Sequence, residues 1–330
     1  VFKNDNTDTA WKKIAFGFNA QIQNSFHNNI QINGTNTERG LDNYFLDYAA
    51  GKNGGELATS DFESVRDVYQ FFGESPLHGF GYQQAFLGYQ AFIFDYLPED
   101  SLFVSNAIYS SVQHNHSIQT SGENWSMAFT FSGQYNDWLY LGANINASNV
   151  EYRQITSTTE TGYLPESFLQ ETYFQNELYT YGGGVSLQFG AIATPNKNVR
   201  LGVSYKTPTW YELNDEFSQY LETKSTDSDG NSYNDVIDLT DVINVYESYT
   251  IKTPSEFRGS LAYIFGKRGI LSFDYSLKDY QNSHIGPNDN NVFIALNNQI
   301  DQNWRSVSTY RVGGEYRLGG IRLRAGYHLE

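Results

Sequence analysis

"NWSMAFTFSGQYNDWLYLGANINA", residues 124–147, is the stretch that decides the fold. Trp125, Met127, Phe129 and Phe131 fall on one side of an extended chain, and Ser126, Ala128, Thr130 and Ser132 on the other. After a short turn, Leu139, Leu141, Ala143 and Ile145 alternate with Tyr140, Gly142, Asn144 and Asn146. Successive side chains of a strand point to opposite faces, so one face of this hairpin meets an apolar medium and the other a polar one. In a soluble sandwich the apolar medium is a second sheet. In a membrane barrel it is lipid, and the polar face lines the interior.

The same alternation recurs outward from this hairpin. Ile14, Phe16, Phe18 and Ile22 oppose Ala15, Gly17, Asn19 and Gln21; Val185, Leu187 and Phe189 oppose Gly184, Ser186 and Gln188; Leu201, Val203 and Tyr205 oppose Arg200, Gly202, Ser204 and Lys206. Later strands keep it through Phe257, Phe273, Val312 and Leu323, with Arg258, Asp274, Arg311 and Arg324 on their polar faces. The connections alternate in length. Short turns at 135–137, 194–198, 266–269 and 318–320 are separated by long connections at roughly 153–175, 214–254 and 282–303. That is the rhythm of an up-and-down antiparallel β-barrel with one quiet rim and one elaborate rim, and a sandwich has no reason to adopt it.

Composition agrees. The 330 residues have a mean hydropathy of -0.52, and no run approaches the ~18 apolar residues of a membrane helix. A barrel strand needs only about ten residues, half of them polar. The 26 Tyr and 23 Phe suit membrane interfaces, where a ring has one apolar and one wet end. A net charge of -16 excludes a nucleic-acid footprint, and the absence of Cys excludes disulfides and thiolate chemistry.

Residues 27–84 break the pattern. "TERGLDNYFLDYAAG" and "DFESVRDVYQFFGES" carry apolar residues at helical spacing, which predicts two short helices in an early extracellular loop. Strands are expected again over 84–96 and 105–119, giving about twelve strands in all, the first a remnant. The opening "VFKND" and closing "IRLRAGYHLE" both read as parts of strands, so the expectation is a single barrel domain over 1–330, internal to a longer protein. The parity of the strand ends suggests about fourteen strands in the full barrel.

The strand "RLGVSYKTPTWYEL" (200–213), with Gly202, Tyr205, Lys206, Thr207 and Pro208 matching a G-x-x-Y-[KRH]-[ST]-P run, resembles the FadL/TodX-type family of outer-membrane transporters. "DNYFLDYAAG" resembles the outer-loop region of its distant members, some of them labelled hemin receptors. The resemblance implies passive passage of long-chain fatty acids or other hydrophobic or amphipathic molecules through the outer membrane of a Gram-negative bacterium. It also implies a plug before the first strand, which these residues lack, and no enzymatic activity or required cofactor. Implied partners are the lipid bilayer, lipopolysaccharide, the hydrophobic small molecule and other outer-membrane proteins, with no nucleic acid.

Under this reading Phe45, Tyr48, Phe62, Tyr69, Phe71 and Phe72 line an apolar cleft beneath the loop helices; the same rings equally serve to pack those helices on the rim. Arg200, Lys206 and Arg258, facing inward on neighbouring strands, are candidates for a carboxylate head, or neutralise lumen acids such as Asp274 and Glu315. "TDSDGNSYNDVID" (226–238) offers Asp227, Asp229, Asn231 and Asp235 as oxygen ligands for Ca2+, although Val236 stands where an EF-hand places its bidentate Glu; an acidic solvated loop fits as well. His114 and His116 share one strand face at a spacing that can hold a metal or haem. No hydrolase, metalloprotease or nucleotide motif is present. The rival functions are a structural or docking barrel within a larger outer-membrane complex, an outer-membrane barrel enzyme such as a lipase, and a soluble sandwich.

Overall fold

The computed structural model describes residues 1–3, 10–99 and 101–330. In chain order its elements are β1 (Phe2–Lys3), β2 (Trp11–Ser25), β3 (Asn28–Asn36), α1 (Leu41–Ala49), α2 (Val65–Glu74), α3 (Gly79–Gln90), β4 (Phe94–Leu97), β5 (Leu102–Ser105), β6 (Val112–Tyr135), β7 (Leu139–Thr161) and β8 (Leu169–Ala193). Then come β9 (Val199–Lys206), β10 (Trp210–Thr226), β11 (Ser232–Val245), β12 (Tyr249–Lys252), β13 (Ser255–Ile264), β14 (Gly269–Asp279), β15 (His284–Gly286), α4 (Asn291–Asn303), β16 (Ser306–Leu318) and β17 (Ile321–Leu329).

The wall is an up-and-down meander in the order β1-β2-β6-β7-β8-β9-β13-β14-β16-β17, antiparallel at every step. The remaining long strands continue it upward: β3 extends β2 along β6, β10 extends β9 along β8, and β11 and β12 run down β10 toward β13. Among the described residues no helix is long and apolar enough to cross a membrane, which says nothing of crossing by strands. The predicted apolar rows are on the outside and uncovered: Phe16 and Phe18 are 60% and 61% exposed, and Phe129, Ile145, Phe189, Leu201, Leu271 and Val312 continue the band around the wall. A soluble sandwich would bury these rows, so the structure excludes it.

The band has two aromatic edges. At the short-turn end Trp11 meets Tyr135 edge-on at 5.4 Å and Tyr263 meets Phe265 at 4.8 Å. At the other end stand Trp125, Trp210 and the stacked pair Tyr179 and Tyr181, 5.3 Å apart. From Trp125 to Tyr135 on β6 is ten residues. At ~3.3 Å per residue and a tilt of ~40° this spans about 25 Å, the height of the apolar band of a membrane barrel.

Above Trp125 the strands keep pairing and their polarity inverts. Outward positions become Gln119, Glu123, Glu151, Arg153, Gln175 and Glu177, with an Arg153–Glu177 ion pair at 2.5 Å. Inward positions stay mostly polar on β6 and β7, among them His114, His116, Thr156, Thr158 and Glu160, whereas on β8, β10 and β11 several become apolar, and Leu169, Phe174, Leu221, Ile237 and Leu239 are buried there. Two kinks mark the level of the inversion. Pro208 and Pro254 interrupt adjacent strands, and each gap in the ladder is completed by a threonine. Thr207 Oγ1 accepts from Leu187 N at 2.9 Å, Thr253 Oγ1 accepts from Thr209 N at 2.9 Å, and Thr253 N donates to Thr209 O at 3.0 Å. Opposite the break between β2 and β3, Gly122 has φ +106°, and a Cβ there would lie 2.1 Å from Glu151 O, so only glycine fits.

Several sequence expectations are corrected. The connections expected over 153–175 and 214–254 are mostly strand: β7, β8, β10 and β11 fill them. Residues 105–119 are largely the upper half of the β6 strand, and 84–96 form the end of α3 and part of a separate two-stranded sheet, β4 with β5. The described wall path therefore holds ten strands rather than about twelve. The two predicted helices are α1 and α2; α3 and α4 were not expected.

Candidate functional site

Helices α1, α2 and α3 sit within the upper wall, against its inner face. Their apolar stripes converge because 3.6-residue periodicity places Phe45 and Ala49 on one side of α1 and Val68, Tyr69 and Phe72 on one side of α2. These side chains join Phe86 and Leu87 of α3 and the inward Phe174, Leu221 and Leu239 in one dry core. The start of α2 is fixed by a capping box in which Ser64 Oγ accepts from Asp67 N at 3.2 Å and Ser64 N donates to the Asp67 carboxylate.

A buried polar network fastens the helices to the wall. Gln219 of β10 accepts from Tyr69 Oη at 2.7 Å and from Gln84 Nε2 at 2.8 Å, and donates to Asn176 Oδ1 at 2.6 Å. Gln83 donates to Asn244 Oδ1 at 2.8 Å, and Thr223 to the carbonyl of Ala91 at 2.9 Å. In a dry seam each such bond is costly to leave unmade, so the network fixes one seating of the helices.

The N-terminus of α1 rests on two carboxylates. The fully buried Glu160 of β7 accepts from Leu41 N at 2.8 Å, from Tyr163 Oη and from the His114 ring. Asp42 accepts from Ser105 Oγ at 2.6 Å and Tyr109 Oη at 3.0 Å. The helix dipole favours negative charge at this end. At Gly40 a Cβ would lie 2.7 Å from Asp42 Oδ1 and 2.8 Å from Glu160 Oε1, so a larger residue there has to displace these hydrogen-bonded carboxylates. Burial and then the Asp42 charge push the Tyr109 phenol up to about 12; burial and then Glu160 push Tyr163 up as well, and burial raises Tyr44 and Tyr69. His114 is thus engaged by Glu160, and His116 Nδ1 lies 2.8 Å from Thr158 Oγ1.

The six predicted aromatic residues do not gather in one cleft. Phe45, Tyr69 and Phe72 are buried in the core, whereas Phe62 is 99% exposed and Phe71 57%. Tyr48 is half-buried at the edge of that core, its ring packing on Tyr44 at 5.1 Å and, on its other side, on Phe80 at 5.8 Å; Phe80 packs on Phe217 at 5.9 Å, continuing the rings outward into a half-exposed cluster. Phe217 occupies the inward position of β10 one step nearer the membrane band than Gln219, which places this half-exposed cluster below the dry seam. Sequence reasoning missed Phe80 and Phe217. "GFGYQQAFLGYQ" mixes Gln83, Gln84 and Gln90 with its apolar residues and gives no helical stripe, and Phe217 lay in a segment taken for a loop.

Beneath the helices the inner wall has two unlike halves. On β2, β6, β7 and β8 the inward residues at band level are Ala15, Gly17, Asn19, Gln21, Ser126, Thr130, Asn144, Asn146, Ser186 and Gln188, with Lys13 at the foot. On β9, β13, β14, β16 and β17 they include eight cations (Arg200, Lys206, Arg258, Lys278, Arg311, Arg317, Arg322 and Arg324) and three acids (Glu256, Asp274 and Glu315). A cavity of about 460 Å³ spans the two halves, lined by Ser132, Asn144 and Gln188 on one side and Ser204, Arg258, Asp274, Ser276 and Arg311 on the other. Of the predicted head-group residues, Arg258 lines this cavity and pairs with Glu256 at 2.6 Å. Lys206 lies across from Gln188 and Glu256, and Arg200 is exposed at the short-turn end of β9.

The 226–238 segment is the tight hairpin of β10 and β11. Asp227 accepts from Asp229 N at 2.9 Å, Asn231 N at 2.8 Å, Asn231 Nδ2 at 2.9 Å and Tyr233 Oη at 2.8 Å, and these bonds, the Asn231 side chain foremost, lower its carboxyl to about 2. Asp235 stands apart on β11, opposite Thr223. Among the described residues no group of three or more His, Asp or Glu is arranged to hold a metal ion.

No protein-family model and no curated protein matches the chain. Solved structures similar to it include the Ralstonia pickettii toluene transporter TbuX (14% identity, TM-score 0.36, covering 66% of this chain and 65% of that one). The Pseudomonas putida toluene transporter TodX and the CymD monoaromatic hydrocarbon channel are each 13% identical, with a TM-score of 0.33, over 66% of this chain and 64% of theirs. The chain thus spans just under two thirds of the length of these neighbours.

Proposed function

We propose that this chain is the wall and mouth of an outer-membrane barrel that lets hydrophobic or amphipathic small molecules pass down their gradient. The observation that carries the reading is the inversion of the wall: apolar rows face out over about 25 Å between two aromatic edges, and above the upper edge the outer face turns polar. A wall so built has lipid around its lower half, water around its upper half and a polar interior. The half-exposed rings of Tyr48, Phe80 and Phe217 supply apolar contact just under the helices, and the cavity at Arg258 receives a polar or charged head below them. Resemblance of 200–213 to the FadL/TodX-type family agrees with this assignment. The test is entry of the lipopolysaccharide-excluded dye N-phenylnaphthylamine into a Gram-negative host. Expression of the full protein is expected to speed entry several-fold over vector alone; an unchanged rate with the protein folded in the outer membrane overturns the reading. A docking subunit is the second reading, favoured by the dry, hydrogen-bonded seam between the helices and the upper wall. It predicts no dye entry and recovery of a bound partner in mild detergent.

A further inference from the structure

We propose that the inner wall sorts solutes by charge, admitting anions and turning back cations; the inference rests on the transport reading above. The whole chain carries -16, yet the inner face of its β9-to-β17 half carries eight cations against three carboxylates. Among the described residues the inward positions of the facing half are uncharged at band level, so no carboxylate among them cancels the excess.

Structural neutralisation does not account for these cations. Arg258 pairs with Glu256 and Arg324 with Glu315, both at 2.6 Å, and the other six make no ion pair among the described residues. The acids that dominate the net charge lie elsewhere, as Glu123, Glu151, Glu177 and Glu222 do on the outer face above the membrane band.

Cations of one sign along a low-dielectric wall focus their field into the lumen, and such fields raise the local concentration of counter-ions by about 10- to 1,000-fold. The Debye length is about 8 Å at physiological salt, so the field covers much of a narrow lumen and collapses at high salt. The cavity at Arg258 and Arg311 is where the uncharged and cationic halves meet, with Ser204, Ser276, Asn144 and Gln188 offering neutral hydrogen bonds. An anionic group resting there has charge on one side and amide and hydroxyl dipoles on the other.

The experiment uses the full protein in liposomes loaded with benzenesulfonate or benzyltrimethylammonium, two single-ring solutes of fixed and opposite charge that do not cross lipid. Sulfonate release is expected to be at least about tenfold faster than that of the ammonium ion. The ratio is expected to fall toward one in 1 M salt, and in the R311Q/R317Q/R322Q variant at low salt. Equal rates, or faster ammonium release, overturn the proposal. Release of neither solute also overturns it, because the inner wall is then no path for ions, while dye entry into the host separately judges the transport reading. The salt series on the unmodified protein decides the matter if the triple variant fails to fold.

Discussion

The same strands behave as two different materials along their length. On β8, the outward Val185 and Phe189 are half exposed and their inward neighbours are Gly, Ser and Gln; higher up, the inward Phe174 is buried and the outward residues are Glu177, Gln175 and Tyr173. Pairing with β7 is unbroken between the two regions, so the backbone does not change face. What changes is the medium on each side. The lower wall is stabilised by the apolar surroundings of its outer face, and the upper wall by the helices packed into its inner face.

Substitutions that confuse the two regions test this contrast. The largest effect is expected inside the mouth: Phe45→Ala empties a fully buried site and should cost about 3–5 kcal/mol, read as urea unfolding of the helical part by limited proteolysis in detergent. Ile145→Arg, near the middle of the apolar band, should cost about 2–4 kcal/mol in lipid vesicles, whereas Gln175→Arg, outward on the upper wall, should stay within about 0.5 kcal/mol. Equal costs at the two positions would abolish the distinction.

Alkali separates the regions without mutation. Tyr109, Tyr163, Tyr44 and Tyr69 line the seam between helices and wall, and their folded phenols titrate above the ordinary ~10 of the unfolded chain. The folded seam holds these protons where the unfolded chain releases them. Its stability is therefore complete below about pH 10 and falls as pH rises through about 12 for Tyr109 and beyond for the others. Near-ultraviolet circular dichroism should show the helical part loosening in that window while the far-ultraviolet strand signal persists. The smallest effect belongs to the hairpin tip. The Asp227 carboxyl is depressed to about 2, so the turn should keep its hydrogen bonds as acid is added until pH approaches 2, followed by the chemical shift of the Asn231 amide. Asp227→Ala should erase that titration with no loss of the barrel.

The barrel was legible because an apolar outer surround imposes a strict period of two on a strand, and Phe16, Phe129 and Leu271 announce it directly. Above the band that constraint ends. Residues 153–175 and 214–254 are strand without looking so, since their outer face meets water and their inner face meets helices that a local pattern does not reveal. The same limit governs the candidate site. Arg258 was found by parity alone, and Tyr48 by its place on α1. Phe80 and Phe217 come together only through the docking of α3 on β10, a contact 137 residues apart in sequence. Phe62 shows the converse, a ring chosen for its helical spacing that ends up in solvent.

β6 does not stop at Trp125; it runs on to Val112, thirteen residues farther. At the same rise and tilt that is another ~30 Å, so the structure is a chimney whose rim stands clear of its apolar band. On the transport reading proposed above, a solute entering at the rim descends the height of this upper wall before it reaches the level of the apolar band.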